Sequence, residues 1–540
     1  MKKILSLILS LAGMFCCSNV AATEGDIIDI VFKGSTATVS IPAYARVTAT
    51  INGANVTLTS TTEKEEYVYR LSGSTTDGSL VINGKYKLTL QLNGVSITST
   101  YGAAIDVECG KRIAVEIVKG TTNTLVDGTV GAQKAAFYFK GHPEFEGEGT
   151  LNVTGRVGHA ISAKEYLQLK QSLGTINILS AVKDGIHCGK DEINSENCYF
   201  QISGGVVNIN NVGGDCIDTG DYGVMYIKGG SINANVTTAE ATGLKSDSII
   251  YMSAGELNIS VMAQKAEGIR TNYDALFTGG TVRVNVGANG AKAIKSKCMT
   301  KSSAPVKNGG MLHFDGTEFE LNVYGNDIKD DGVVTTNCRA VSADADITRS
   351  AGTIEIFAYG DIENACNTDT KEIVKGGEFN LHRAPWNFYY GNYALDMTAY
   401  VSLQINGKPA SLSDYAIGAF IGLSCTGVAI DDYLRIYSNE SASYDITWKA
   451  YEYATGKVYD LYTNHVWFSQ GHKWGSPTSP LVLHGLKGDI NRDNKVDNKD
   501  VEALRDIILG LRSDTYDVAD INGDHKISIA DITALINVLP

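Results

Sequence analysis

Residues 183–189 read Lys-Asp-Gly-Ile-His-Cys-Gly, and residues 214–220 read Gly-Asp-Cys-Ile-Asp-Thr-Gly. Each sets a branched aliphatic after a small residue, with a polar side chain on its far side. The cassette recurs as GHAISAK at 158–164, ATGLKSD at 241–247, AEGIRTN at 266–272 and AKAIKSK at 291–297. Its aliphatics are Ile161, Ile186, Ile217, Leu244, Ile269 and Ile294, which subtraction places 25, 31, 27, 25 and 25 residues apart. A period of this size marks a stacked solenoid.

A second column runs in phase: Leu151-Asn152, Ile176-Asn177, Val207-Asn208, Ile232-Asn233, Leu257-Asn258 and Val282-Arg283. Turns repeat beside it at Gly204-Gly205, Gly229-Gly230, Ala254-Gly255 and Gly279-Gly280, and weaker copies continue at 340–342, 352–354 and 376–380. Each repeat holds runs of alternating β-branched and polar residues with no amphipathic helical pattern between them. The expected fold is therefore mainly β: a right-handed parallel β-helix solenoid over residues 23–384, with 23–100 as lead-in strands. Identical positions then stack about 4.8 Å apart, with the aliphatic columns inside. The Asn column predicts an amide ladder.

The chain has 540 residues, 57 Gly but 8 Pro, and a formal charge of −14. That length predicts several domains, and the acidic balance argues against a nucleic-acid partner. Lys2 and Lys3, the apolar run 4–15 and Val20-Ala21-Ala22 have the plan of a signal peptide over 1–22, so a secreted or cell-surface protein is expected. Cys16 and Cys17 leave lipoprotein anchoring as the alternative, although Met14 and Phe15 fit a lipobox poorly. Eight later cysteines form no compact framework. Cys188 and Cys216, on consecutive coils, are either close or simply buried thiols.

The tail carries the most specific motif. Asp489, Asn491, Asp493, Asp497 and Asp500 occupy positions 1, 3, 5, 9 and 12 of a loop, and Asp520, Asn522, Asp524, Ser528 and Asp531 repeat the plan. The carbonyls of Lys495 and Lys526 fall at position 7. Calcium takes six to eight oxygens, and this spacing lets one loop supply them. Helices are expected at 501–509 and 532–538. The pair resembles a type I dockerin over 488–540, which implies calcium-dependent folding and docking to a cohesin. Positions 10 and 11, which such domains often present to cohesin, are Asn498 and Lys499 in one repeat and Ile529 and Ala530 in the other. Position 6 departs from the usual Gly, being Asn494 and His525.

Periodicity stops near residue 384, and all four tryptophans lie between 386 and 474. Alternating segments there suggest a β-sandwich over 385–484. The stretches GAFIGLSCTGVA, YLRIYSNES and WKAYEYATGKVYDL resemble an accessory sandwich of proteins secreted by anaerobic bacteria. It is expected to shield the open end of the solenoid. Trp467 and Trp474 either stack on sugars or pack the domain.

Outside the solenoid, the residue after each aliphatic reads Ser162, His187, Asp218, Lys245, Arg270, Lys295. Two positions before it stand His159, Asp184, Asp215, Thr242, Glu267, Lys292. Stacked cations repel, so Lys245, Arg270 and Lys295, with His187, are candidate ligand-binding residues for an acidic glycan. Asp184, Asp215 and Asp218, with Asp191 and Asp221 nearby, are candidates for a calcium site bridging protein and sugar carboxylates. The alternative is a solvated face of compensating charges.

Residues 25 to about 384, including LVINGKYKLTLQLNGVSITSTYGAAIDV, TNTLVDG and the DGIHCG and DCIDTG coils, resemble a parallel β-helix carbohydrate-binding family related in fold to polysaccharide lyases. That resemblance implies calcium-assisted binding of pectic or cellulosic plant cell-wall polymers without cleavage, and no catalytic residue is assigned. Two alternatives stay open. One is a calcium-dependent pectate-type lyase using Lys or Arg as base. The other is an adhesin-like surface stalk.

Overall fold

The computed structural model describes residues 27–189, 197–220, 223–298, 309–360, 364–383, 393–405, 408–430, 433–441, 443–461, 466–485, 495–512 and 526–537, with short pieces between them. The expected signal peptide and Asp191, Asp221, Asn494, Asp520, Asp524 and His525 lie outside the described residues.

The fold is mainly β, and repeat-to-repeat pairing is parallel. Ile161 pairs with Ile186, Ile186 with Ile217, Ile217 with Leu244, Leu244 with Ile269 and Ile269 with Ile294. Equivalent residues of successive coils thus lie side by side, as the cassette requires. The column also runs further than the cassette. It continues to Val341 and Cys366 at one end, and through Phe137, Ile105 and Leu80 to Val56 at the other. From Val56 to Val341 these aliphatic and aromatic side chains are buried. Within the residues expected as lead-in strands, Val56 and Leu80 thus join the same parallel column. At the very start, Ile27–Lys33 with Thr36–Ser40, and Val47–Asn52 with Ala54–Ser60, pair antiparallel. These hairpins cover an edge that would otherwise offer unpaired backbone to another chain.

Two further parallel ladders complete each coil. One stacks Leu151, Ile176, Val207, Ile232, Leu257 and Val282. The other stacks Phe200, Met225, Ile250, Ala275, Leu312 and Ile347. The turn between them sets its Gly spacing: Gly230 and Gly255 have φ of 73° and 94°, and a Cβ on either would meet the previous coil's backbone within 3 Å. Only glycine meets both demands at no steric cost.

Beside the second ladder the Asn amides hydrogen-bond in series. Asn177, Asn208 and Asn233 each donate to the preceding Asn at 2.8 Å, and Asn258 donates to Asn233 at 3.0 Å. One coil later Arg283 takes the place, paired with Glu320 at 3.0 Å. Cys188 and Cys216 are both buried, with their sulfurs directed to the carbonyls of Tyr199 and Asn235, and no disulfide joins them.

Strands between residues 395 and 485 form a separate nine-stranded sheet, mostly antiparallel, with its own core of Met397, Val401, Ile417, Leu434, Trp448 and Phe468 among others. This sheet packs on the last coils. Tyr324, Phe357 and Tyr359 cluster with Ala416, Phe420 and Val428, and the Tyr359 and Tyr453 hydroxyls meet at 2.9 Å. Trp474 packs against the sheet's core and donates to the Trp467 carbonyl at 3.3 Å, the two rings meeting edge to face. Two helices follow, α1 (Asn498–Ile508) and α2 (Ile529–Ile536), each starting about three residues earlier than expected because an Asp or Ser at the loop's position 9 caps it.

Candidate functional site

The outward residues flanking the cassette aliphatics form two adjacent columns, in register from coil to coil. His187 pairs with Asp218, Asp218 with Lys245, Lys245 with Arg270, and Arg270 with Lys295; Thr242 pairs with Glu267, and Glu267 with Lys292. Strand alternation turns the residue after each buried aliphatic outward, and the side chains two positions before it reach across to meet that column.

On that face opposite charges interlock. His159 Nδ1 lies 3.1 Å from Asp184, and His187 Nδ1 lies 3.2 Å from Asp184 and 3.3 Å from Asp218. Lys245 Nζ lies 3.1 Å from Asp215 and 3.5 Å from Asp218. Glu267 stands between Arg270 at 3.6 Å and Lys295 at 2.8 Å. The repulsion expected among stacked cations is thus answered within the chain, by acids of the neighbouring column. Asp215 and Asp218 both face Lys245.

Titration follows this wiring. Burial opposes ionisation of Asp184, but the close His159 and His187 imidazoles outweigh it and hold the carboxyl well below its usual range. Burial disfavours a charged His187 ring, yet Asp184 and Asp218 push it up to about 9. Burial raises Asp215 despite Lys245, while Lys245 itself is raised because Asp218 and Asp215 outweigh its desolvation.

Towards the later coils the balance turns cationic. Arg270, Lys292, Lys295, Lys297 and Arg339 share this stretch with Glu267, and Lys292 stacks directly on Arg339. Lys292 donates to the Gly290 carbonyl at 3.3 Å, and Arg339 Nε is buried without a hydrogen-bond partner. Burial, then the nearby Lys295, pushes both Lys292 and Lys297 below the ordinary lysine value. An anion laid here would relieve that crowding. At the opposite end a groove of about 470 Å³ opens beside Lys134, Tyr138, Ser162 and His187.

Reasoning from the sequence named these columns but missed how far they run. Asp106 and Tyr138 precede Ser162 in the outward column. The stretch Ala103-Ala104-Ile105-Asp106 has the cassette's form and signals this.

The tail presents a second constellation. Oxygens of Asp489, Asp493 and Asp500 lie within 4.8 Å of one another, with Asp489 and Asp500 buried. Asp500 accepts from the amides of Asn491 at 2.9 Å and Asp497 at 2.8 Å. Asp531, also buried, accepts from Asn522 at 3.2 Å and Ser528 at 2.8 Å. Carboxylates gathered this closely repel unless a cation joins them, so the donor set fits a hard divalent ion. Asn491, Lys495, Asp497 and Lys526 lie on the same loops. Ile529 is exposed, as are Asn498, Lys499 and Ala530 around the starts of the two helices.

Residues 52–386 match the model of a family described as carbohydrate-binding domain-containing protein. The chain belongs to that family. Residues 487–540 match the type I dockerin domain. A relative in the family, a carbohydrate-binding domain-containing protein of Acetivibrio thermocellus, is 26% identical over 134 residues, covering 22% of this chain and 47% of the relative. The chain thus spans about half the length of the relative it matches. Among solved structures, a polysaccharide lyase-like protein from C. thermocellum, in a gadolinium derivative, is 14% identical, with a TM-score of 0.26 over 66% of this chain and 97% of that one. No helix among the described residues is long and apolar enough to cross a membrane.

Proposed function

We propose that this is a secreted, non-catalytic polysaccharide-binding protein whose right-handed parallel β-helix holds an acidic or plant cell-wall glycan, and whose dockerin joins it to a cohesin-bearing assembly. The cationic stretch at Arg270, Lys292, Lys295 and Arg339 carries the reading, since its charges exceed the nearby Glu267 and stack along one face. Lys245 and His187 extend the binding face towards the earlier coils. Uronic-acid carboxylates match such cations in charge. Membership of the carbohydrate-binding family and the dockerin tail support the reading.

In the tail, Asp489, Asn491, Asp493, Asp497 and Asp500, with the Lys495 carbonyl, hold calcium in the first loop. Asn522, Ser528 and Asp531, the Lys526 carbonyl, and Asp520 and Asp524 by sequence, do so in the second. Asn498, Lys499, Ile529 and Ala530 face the cohesin. Asp184, Asp215 and Asp218 add negative charge at the early coils, where calcium would bridge protein and glycan acids. Export through the N-terminal signal peptide fits a dockerin-bearing protein.

One observation favours a second reading, a pectate-type lyase. Lys292 stands on the glycan-facing stretch stacked on Arg339, and burial with the nearby Lys295 shifts it in the direction a general base needs. A glycan array with and without calcium, run beside release of unsaturated uronides from polygalacturonate, separates the readings. Binding without product is expected. Product formation establishes the lyase, and loss of all glycan affinity leaves only a surface stalk.

A further inference from the structure

Three potential metal ligands converge at the early end of the ladder: His159, Asp184 and His187 each offer one ligand atom within 4.8 Å of the others, and both Nδ1 atoms contact Asp184 Oδ2. They come from successive coils, brought together by the pairing of Ser162 with His187 and by the residue two positions before each aliphatic. The two imidazoles stack with centroids 4.6 Å apart and planes 20° from parallel, so both Nδ1 atoms point to the same carboxylate.

The spacing is informative. Bonds of about 2.0 Å to zinc put neighbouring ligands of a tetrahedron about 3.3 Å apart. The two contacts to Asp184 Oδ2 are 3.1 and 3.2 Å. His187 Nδ1 is buried and makes no hydrogen bond of good geometry, although carboxylate oxygens stand on two sides of it. His159 Nδ1 accepts from the Asp184 amide at 3.2 Å, which marks it as a lone-pair-bearing nitrogen. The carboxylate is fixed in turn, since Asp184 Oδ1 accepts from the Asp215 amide at 2.8 Å. Such outer contacts orient metal ligands. Asp218, 3.3 Å from His187 Nδ1, adds negative charge beside the cluster.

Two imidazole nitrogens with one carboxylate suit a borderline-soft ion far better than calcium, which takes oxygens. We infer that His159, Asp184 and His187 bind a divalent transition-metal ion of the zinc class, with three protein ligands and a fourth position open to the groove beside Lys134 and Tyr138. The ion would staple consecutive coils at the end of the ladder opposite the cationic stretch. A water or a ligand oxygen would complete its shell.

The test uses the full chain, saturated with calcium so that the dockerin loops are filled, and titrated with Co²⁺. One equivalent is expected to give the visible absorption of a tetrahedral centre. Zn²⁺ should abolish that absorption, and excess calcium should leave it unchanged. Cobalt in an oxygen-rich calcium loop is six-coordinate and lacks it. His159→Gln and His187→Gln should lose the absorption, together with the zinc-dependent rise in unfolding temperature of the solenoid. Asp184→Asn, which keeps an acceptor for the Asp215 amide, serves as a further variant should a histidine change prevent folding. Absence of tetrahedral cobalt in the unaltered protein overturns the inference. So does displacement by calcium, or persistence of the band in a folded His187→Gln protein.

Discussion

In the parallel repeats, the column from Val56 to Val341 buries apolar side chains repeat after repeat, and each repeat pairs with its neighbours. In the tail, a core of Ile490, Ala503, Leu504, Ile507, Ala519, Ile521 and Leu535 sits beside the buried carboxylates of Asp489, Asp500 and Asp531. The repeats pair many of their polar groups internally, through the amide ladder and interlocked charges, and leave a few buried atoms such as Arg339 Nε without a hydrogen bond. The tail leaves carboxylates clustered, and the proposed calcium would hold them together. One region is a scaffold whose stability accumulates by repetition, and the other is a small switchable module.

Removing calcium should therefore expose the largest difference. Chelation, or Asp500→Ala, is expected to abolish the helical circular dichroism of α1 and α2 while the strand signal and its thermal transition persist. Simultaneous loss of both signals would show that the solenoid depends on the tail.

Within the solenoid, Ile217→Ala should cost about 2–5 kcal/mol in denaturant titration, because the stacked neighbours cannot collapse into the cavity. Asn208→Ala breaks one hydrogen bond to each neighbour in the amide ladder, and about 1–2 kcal/mol is expected from the same measurement. A cost near zero would mean that water replaces the ladder.

The smallest effect should be stabilising. Asp106 is pushed up to about 6, first by burial and then by Glu108, and its Oδ1 has no hydrogen-bond partner. Its folded value exceeds the unfolded one near 3.9, so its contribution is fully present below pH ~3.9 and is lost as pH rises through about 6. At neutral pH Asp106→Asn should stabilise the protein by about 1 kcal/mol, a figure reduced for the solvent screening of a partly exposed site. The gain should vanish at pH ~4.

Much of this was legible in the sequence because a solenoid writes its three-dimensional neighbours at a fixed interval. Once Ile161, Ile186 and Ile217 are aligned, the pairing of His187 with Asp218 follows. The dockerin was legible for a similar reason, since one loop carries a whole set of candidate ligands at fixed spacing. What sequence could not supply was the lateral reach of side chains. Alignment set Lys245, Arg270 and Lys295 in one column and suggested bare, repelling charge. The neighbouring column leans across, so Asp215 and Glu267 meet those cations, and Asp218 of the same column meets Lys245. The same lean brings His159 and His187 onto Asp184. The first coils were obscured because Asp106 and Tyr138 sit in cassettes with unlike flanks.

The most direct test of glycan binding along the ladder is calorimetric titration of the calcium-loaded protein with oligogalacturonate at low and high salt, beside the variant Lys245→Glu/Arg270→Glu/Lys295→Glu. Thermal unfolding of the variant verifies its fold. The ladder predicts at least a tenfold loss of affinity and a flatter salt dependence in the variant. Equal affinity and equal salt dependence in both proteins would contradict it.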